Sequence, residues 1–160
     1  MIKDIQKHIK SLKNKVSELD SLEEKINNIA SYAKLITGAR RCSLFVLKDQ
    51  TSELHSIYND ELFENIIIQS DVGLVGYAFH KKVSILENDV TKNPMFFNSI
   101  DKKNNFTTRN ILAIPILDAH NNALGVIELL NKKMSFTQDD QEHIESLVPL
   151  IVSILKNDTD

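Results

Sequence analysis

The side chains in this sequence that could do chemistry are few: one thiol, scattered imidazoles, a carboxylate inside an apolar run, and a lysine and an aspartate flanking a strand-to-helix junction. Cys42 is the one cysteine, so the chain has no second thiol for an internal disulfide, a redox pair or a zinc site of several thiolates. Two arginines precede Cys42, which would favour a thiolate, but it stands in the apolar run "CSLFVL", and an inert core thiol is the stronger reading. His8, His55, His80, His120 and His143 include no pair at metal-binding spacing such as i, i+4, so no metal site is expected. Catalysis is not expected.

Glu128 lies in the middle of "GVIELL". A carboxylate there is costly to bury unpaired, which would mark a binding site, whereas strict alternation equally allows it to face water. In "NKKMSFTQDD", Lys132 leaves the end of one element and Asp140 sits in the first turn of the next. A contact between them would lock helix to sheet; the alternative is a solvated pair worth about 0–1 kcal/mol.

The elements that must position these groups fit one domain of 160 residues, with 42% hydrophobic and 26% charged residues. The net charge is −3 and no basic run is dense enough for a nucleic-acid footprint. The start, "MIKDIQKHIKSLKNK", lacks the apolar core of a signal peptide, and no stretch approaches the ~20 apolar residues of a membrane span. No nucleic acid and no membrane insertion are expected, and a lone cysteine fits a reducing cytoplasm.

Ile2, Ile5, Ile9, Leu12, Val16 and Leu19 step by three and four, the spacing of a helix with one narrow seam. The phase slips at Leu22, either through a stammer or because a second helix restarts at Ser21, whose spacing to Glu24 is that of a capping box. The seam suits pairing with a second copy, the other reading being that it packs on its own domain. Gly38 ends this helix. Hairpins follow across "DQTS" and "DAHNN", with a short strand at "NIIIQ", a helix at "GLVGYAFHKK", a strand at "VSIL" and a short helix at "KNPMFFNSI". Thr137 can cap a last helix that runs to about Lys156 and carries Pro149, a residue expected to kink it. This gives an α+β fold, an antiparallel sheet with long N- and C-terminal helices on one face and short helices plus a lid loop on the other. The divisions are a coiled-coil-like extension over 1–20, a domain over 21–156 and a polar tail over 157–160.

Four stretches, "RRCSLFVLKD", "GLVGYAF", "NDVTKNPMFFNSIDKKNNFTTRNILAIPI" and "GVIELLNKKMSFTQDD", resemble the GAF domain, and most of all the cyclic-nucleotide-binding GAF domains of phosphodiesterases and adenylyl cyclases. The resemblance covers roughly Leu22 to Leu155. The family's Asn-Lys, Phe, Asp-Glu signature is represented by Asn131, Lys132, Phe136 and Asp140, with Gln141 in place of the final Glu. It implies that Lys132 and Asp140 form a structural ion pair that makes no ligand contact. A PAS domain shares the general plan but lacks this junction.

The resemblance further implies a ligand between the sheet and its cover, with candidate contacts from Ser43, Tyr58, Asn59, Leu74, Val75, Thr91, Thr108 and Glu128. Tyr58 would stack on a purine, Ser43 and Asn59 would bond its edge, and backbone N–H groups near Leu74, Val75 and Thr91 would hold a phosphate. Relatives that read guanine often carry an acid at the position of Asn59 and an aromatic at that of Thr91. Arg109 would pair with Asp101 or meet an anionic ligand. The implied function is a sensory domain in signal transduction that binds a cyclic nucleotide, cyclic GMP or cyclic AMP, and acts as a homodimer. The alternative is a ligand-free dimerisation scaffold. GAF-type reductases of free methionine sulfoxide use several cysteines, which this chain lacks.

Overall fold

The computed structural model describes residues 2–60, 65–96 and 107–157. The seam at the start does form a helix, α1 (Ile2–Ser17), and the phase slip is a true break, because α2 (Leu22–Thr37) starts afresh at Ser21. The Ser21 side chain accepts from the Glu24 N–H at 3.1 Å, as the capping spacing requires. Gly38 ends α2 with φ of 79°, a left-handed conformation that costs glycine no Cβ clash.

β1 (Ala39–Leu47) and β2 (Glu53–Asn59) form the first hairpin, and β3 (Ile67–Gln69) adds outside β2. α3 (Gly73–Lys81) leads to β4 (Ile85–Glu87) and a single 3₁₀ turn, Val90–Lys92. The helix expected at "KNPMFFNSI" is replaced, as far as Phe96, by this turn and a bend in which Asn93 Oδ1 accepts from the Met95 N–H at 2.9 Å; residues 97–100 lie outside the described residues. β5 (Ile111–Leu117) and β6 (Ala123–Lys132) form the second hairpin, and α4 (Gln138–Asn157) runs through Pro149 as one helix.

Among the described residues, six strands make one antiparallel sheet in the order β3-β2-β1-β6-β5-β4. Gly125 lies where β6 runs close against β1, since a Cβ there would fall 1.9 Å from the Phe45 carbonyl oxygen. One sheet face, carrying Cys42, Leu44, Leu112, Ile114, Ile127 and Leu129, packs under α2 and α4, and α1 packs on those two helices. The other, carrying Phe45, Leu54, Ala113 and Val126, packs under α3 through Val75, Ala78 and Phe79. The mixed helix and antiparallel sheet is the α+β arrangement expected.

The extension over 1–20 does not stand apart from this core. Leu12 and Val16 are buried in the cluster that α2 and α4 share, so the C-terminal half of the seam packs on its own domain.

Candidate functional site

Directly opposed residues of an antiparallel sheet share a face, so the register alone builds the site. Asn59 opposes Ser43, Ser43 opposes Glu128, Glu128 opposes Ala113, and Ala113 opposes Ile85. This row crosses five strands on the α3 face. Glu128 therefore lies on the α3 face and is half-buried there. The rows on either side are Ser56, Phe45, Val126 and Pro115, and Arg41, Leu130, Ile111 and Glu87. Three polar side chains from adjacent strands thus lie side by side between mostly apolar neighbours.

Asn59 is the most informative of the three. Its Nδ2 donates to Ser56 Oγ at 2.6 Å, while its Oδ1 is buried and has no hydrogen-bond partner among the described residues. Burying an amide oxygen without a donor is unfavourable, so this acceptor is a place for a donor from a water or a ligand.

Leu74 and Val75, in the first turn of α3, are buried over the same face, Leu74 against Val90 and Ile111 and Val75 against the Phe45 cluster. The helix N-cap is Val72, which supplies no side-chain cap, so the first-turn N–H groups keep their pull on an anion.

Two expected contacts are placed elsewhere. Strict alternation from Leu54 and Ser56 would put Tyr58 on the α3 face, but a bulge lies between Leu44 and Phe45, where Phe45 opposes Ser56 and Leu44 opposes Tyr58. The extra residue, Ile57, moves Tyr58 to the helix face and brings Asn59 onto the α3 face in its stead. Tyr58 packs beside the main core there and cannot stack on a ligand under α3. Its hydroxyl donates to Asp60 Oδ1 at 2.5 Å, and burial, followed by this bond, pushes its pKa well up.

Thr91 is exposed, and its N–H and hydroxyl both go to Asp89 Oδ1, at 3.2 and 2.6 Å. A carboxylate already occupies that short helix start, and the Thr91 hydroxyl bond holds its pKa below the usual range. A phosphate would be repelled there. Thr108 is buried, three residues before β5. Asp101, the expected partner of Arg109, lies outside the described residues.

Asp60 is a residue that the sequence reading passed over. Its carboxylate receives Lys34 Nζ at 2.8 Å, the Cys42 N–H at 2.8 Å and the Tyr58 hydroxyl, tying the end of β2 to α2 and β1. Its signal was no more than an aspartate one step beyond a strand. Cys42 is fully buried beside it, and burial first, then the Asp60 charge, pushes the thiol pKa far up, so it offers no thiolate.

At the junction after β6, Lys132 Nζ meets Asp140 Oδ2 at 2.6 Å, and the same oxygen accepts from the Thr137 N–H at 2.9 Å. The Asp140 N–H bonds Thr137 Oγ1 at 3.1 Å, a reciprocal cap on α4. Phe136 is buried in the main core, and its N–H and C=O are both held by the Asn88 carboxamide, at 2.8 and 3.1 Å. Asn131 turns its side chain to the segment before β5 instead. Among the described residues no cluster of His, Cys, Asp and Glu could hold a metal ion, and no helix is long and apolar enough to cross a membrane.

Residues 21–155 match the sequence profile of the GAF domain. Among curated proteins, the chain is 26% identical over 156 residues to the cone cGMP-specific 3',5'-cyclic phosphodiesterase subunit alpha' of Gallus gallus, covering 88% of this chain and 18% of that one. The chain spans less than a fifth of the length of the curated relatives it matches. Among solved structures, the GAF domain of a phosphoenolpyruvate-protein phosphotransferase from Coxiella burnetii superposes with a TM-score of 0.84 at 16% identity, over 96% of this chain and 93% of that one. The free methionine-R-sulfoxide reductase of Neisseria meningitidis, solved with its substrate, gives 0.77 at 15% identity, over 95% and 88%. With the family profile matched over residues 21–155, most of its length, the chain belongs to the GAF domain family.

Proposed function

We propose that this GAF domain is a regulatory module that binds a cyclic nucleotide on the α3 face of its sheet. The observation that carries the reading is the row Asn59, Ser43 and Glu128, with the buried, unmet acceptor of Asn59 at one end. A purine edge carries N–H groups that Asn59 Oδ1 or Glu128 can accept and ring or carbonyl acceptors to which the Ser43 hydroxyl can donate. Phe45, Leu74, Val75 and Ile111 supply the apolar walls, and the first turn of α3 supplies N–H groups for the cyclic phosphate. Thr108 belongs to the same site by resemblance. The likeness to a cyclic-GMP phosphodiesterase subunit supports the ligand class, while Asn59 in place of an acid leaves both cyclic GMP and cyclic AMP to be tried.

The test is thermal unfolding with each nucleotide. At a ligand concentration about 100 times Kd, binding adds about 2.7 kcal/mol, which for a domain of this size raises Tm by roughly 5–10 °C. No shift with either nucleotide at millimolar concentration would refute the ligand assignment.

Association with a second copy through the helices is the companion reading. It is supported by Leu35, 81% exposed on α2, beside a groove of about 380 Å³ lined by Leu12 and Tyr32 among others. If dimerisation held and both nucleotides failed, the domain would be a scaffold.

A further inference from the structure

We propose that Asn131 is a positioning residue for the ligand site, its carboxamide bracketing Thr108. The β5–β6 ladder ends at the pair Ile111 and Leu130, with one more main-chain bond from the Asn131 N–H to the Asn110 carbonyl at 3.1 Å. Beyond that point two side chains continue it. Asn131 Oδ1 accepts from the Arg109 N–H at 2.7 Å, and Asn131 Nδ2 donates to the Thr107 carbonyl at 2.7 Å. Asn110 does the same in the opposite direction, its Oδ1 accepting from the Lys132 N–H at 2.9 Å and its Nδ2 donating to the Lys132 carbonyl at 3.0 Å.

Each carboxamide stands in for a peptide group of a neighbouring strand. In an antiparallel ladder, a residue is fixed when the peptide groups on either side of it are bonded across; here the groups on either side of Thr108 are bonded to one side chain. Thr108, 5% exposed, is thereby held in register with β6. The segment is irregular in backbone, and it has a further main-chain tie in the Val90 N–H, which donates to the Arg109 carbonyl at 3.1 Å.

Few side chains fit this task. Asn131 has φ of 59°, a left-handed conformation that asparagine tolerates better than most residues. It is 3% exposed, so both its amide groups must be satisfied internally, as they are. Aspartate keeps the acceptor and loses the donor, and glycine keeps the backbone and loses both.

The role rests on Thr108 belonging to the nucleotide site proposed above. The test combines calorimetric Kd values for the nucleotide that raises Tm with amide hydrogen exchange of the ligand-free protein. The variants are Asn131→Gly, Asn131→Asp, Thr108→Val and Asn131→Gly with Thr108→Val. Asn131→Gly, which the left-handed backbone accepts, should weaken binding about tenfold, the size of one or two net hydrogen bonds, and Asn131→Asp should fall between it and the parent. The double variant should bind no more weakly than Thr108→Val alone, because Asn131 acts through Thr108. Exchange at the Arg109 amide should speed up at least about tenfold in Asn131→Gly, with the β1 and β6 amides unchanged.

Additive losses in log Kd would reduce Asn131 to a general structural role and overturn the proposal, as would an Arg109 amide equally protected in parent and Asn131→Gly. A parent that binds neither nucleotide would overturn the positioning role together with the ligand reading. The Arg109 exchange would still report separately on the bracket.

Discussion

Replacing Lys132 by methionine removes the cation from a carboxylate that has almost no access to water. Asp140 is 9% exposed and Lys132 20%, and their atoms meet at 2.6 Å. Removing one partner of a fully buried pair costs about 3–5 kcal/mol, since the remaining charge is stranded. Here Asp140 keeps the Thr137 N–H and sits in the first turn of α4, where the helix dipole favours an anion, so about 2–3 kcal/mol is the reasoned cost. Asp140→Asn strands less, because Lys132 has a flexible stem and some exposure and can turn to solvent, and about 1–2 kcal/mol is expected. The double variant should lose at least about 1 kcal/mol less than the sum of the singles, as partners in one ion pair do. Urea unfolding measures this: each single variant should lower the midpoint with its m-value unchanged, and the loss should persist in salt, which screens exposed pairs far more than buried ones. Single losses below about 0.5 kcal/mol with an additive double variant would mean a surface pair and refute the locking role of the junction.

The Tyr32 hydroxyl and His143 Nε2 lie 2.9 Å apart, and with the hydroxyl as donor the imidazole must be neutral there. Burial, then the charge of His8 on α1, lowers the His143 pKa, and Asp140 on its own helix opposes this with a smaller effect. The unfolded chain, with a histidine pKa of about 6.5, thus binds the proton more readily than the folded one, so stability is full above about pH 6.5 and falls as the pH drops below it. His143→Gln should flatten the fall of the urea midpoint between pH 7.5 and 5.5, and an unchanged slope would exclude His143 as its source. Leu35→Lys should reduce or abolish self-association in light scattering, and it should lower Tm only by the share that depends on protein concentration, because Leu35 contributes little to the core; an unchanged mass would place any dimer contact elsewhere.

What the sequence made legible was mostly local. Ser21 with Glu24, Gly38, and Thr137 with Asp140 act within a turn of helix, so the residue types at those spacings were enough to foresee their bonds. Lys132 and Asp140 are eight residues apart across a junction between two readable elements, and their contact was foreseeable for the same reason. The seam of α1 shows the limit. Its spacing declares an apolar stripe but not what covers it, and Leu12 and Val16 are covered by the chain's own core. Thr91 was read as an open helix start although Asp89, two residues earlier, is a side chain suited to closing it.

The bulge in β2 was hidden for a different reason. One extra residue in a strand leaves composition and hydrophobicity unchanged while reversing every facing beyond it, so an alternating pattern read from Leu54 gives the wrong face for Tyr58 and for Asn59. Its consequence reaches past those two side chains. Asn59 ends on the α3 face while Asp60, the next residue, holds Lys34 of α2 on the other. At the far side of the sheet, Asn131 holds the segment before β5 while Lys132, its neighbour, holds α4. At both places a residue of the candidate site, or the one that brackets Thr108, is one peptide bond from the group that anchors a long helix. If the proposed ligand binds two arrangements of Asn59 or Thr108 with different affinity, it would act on the seating of α2 or α4 with almost no intervening structure to absorb the change.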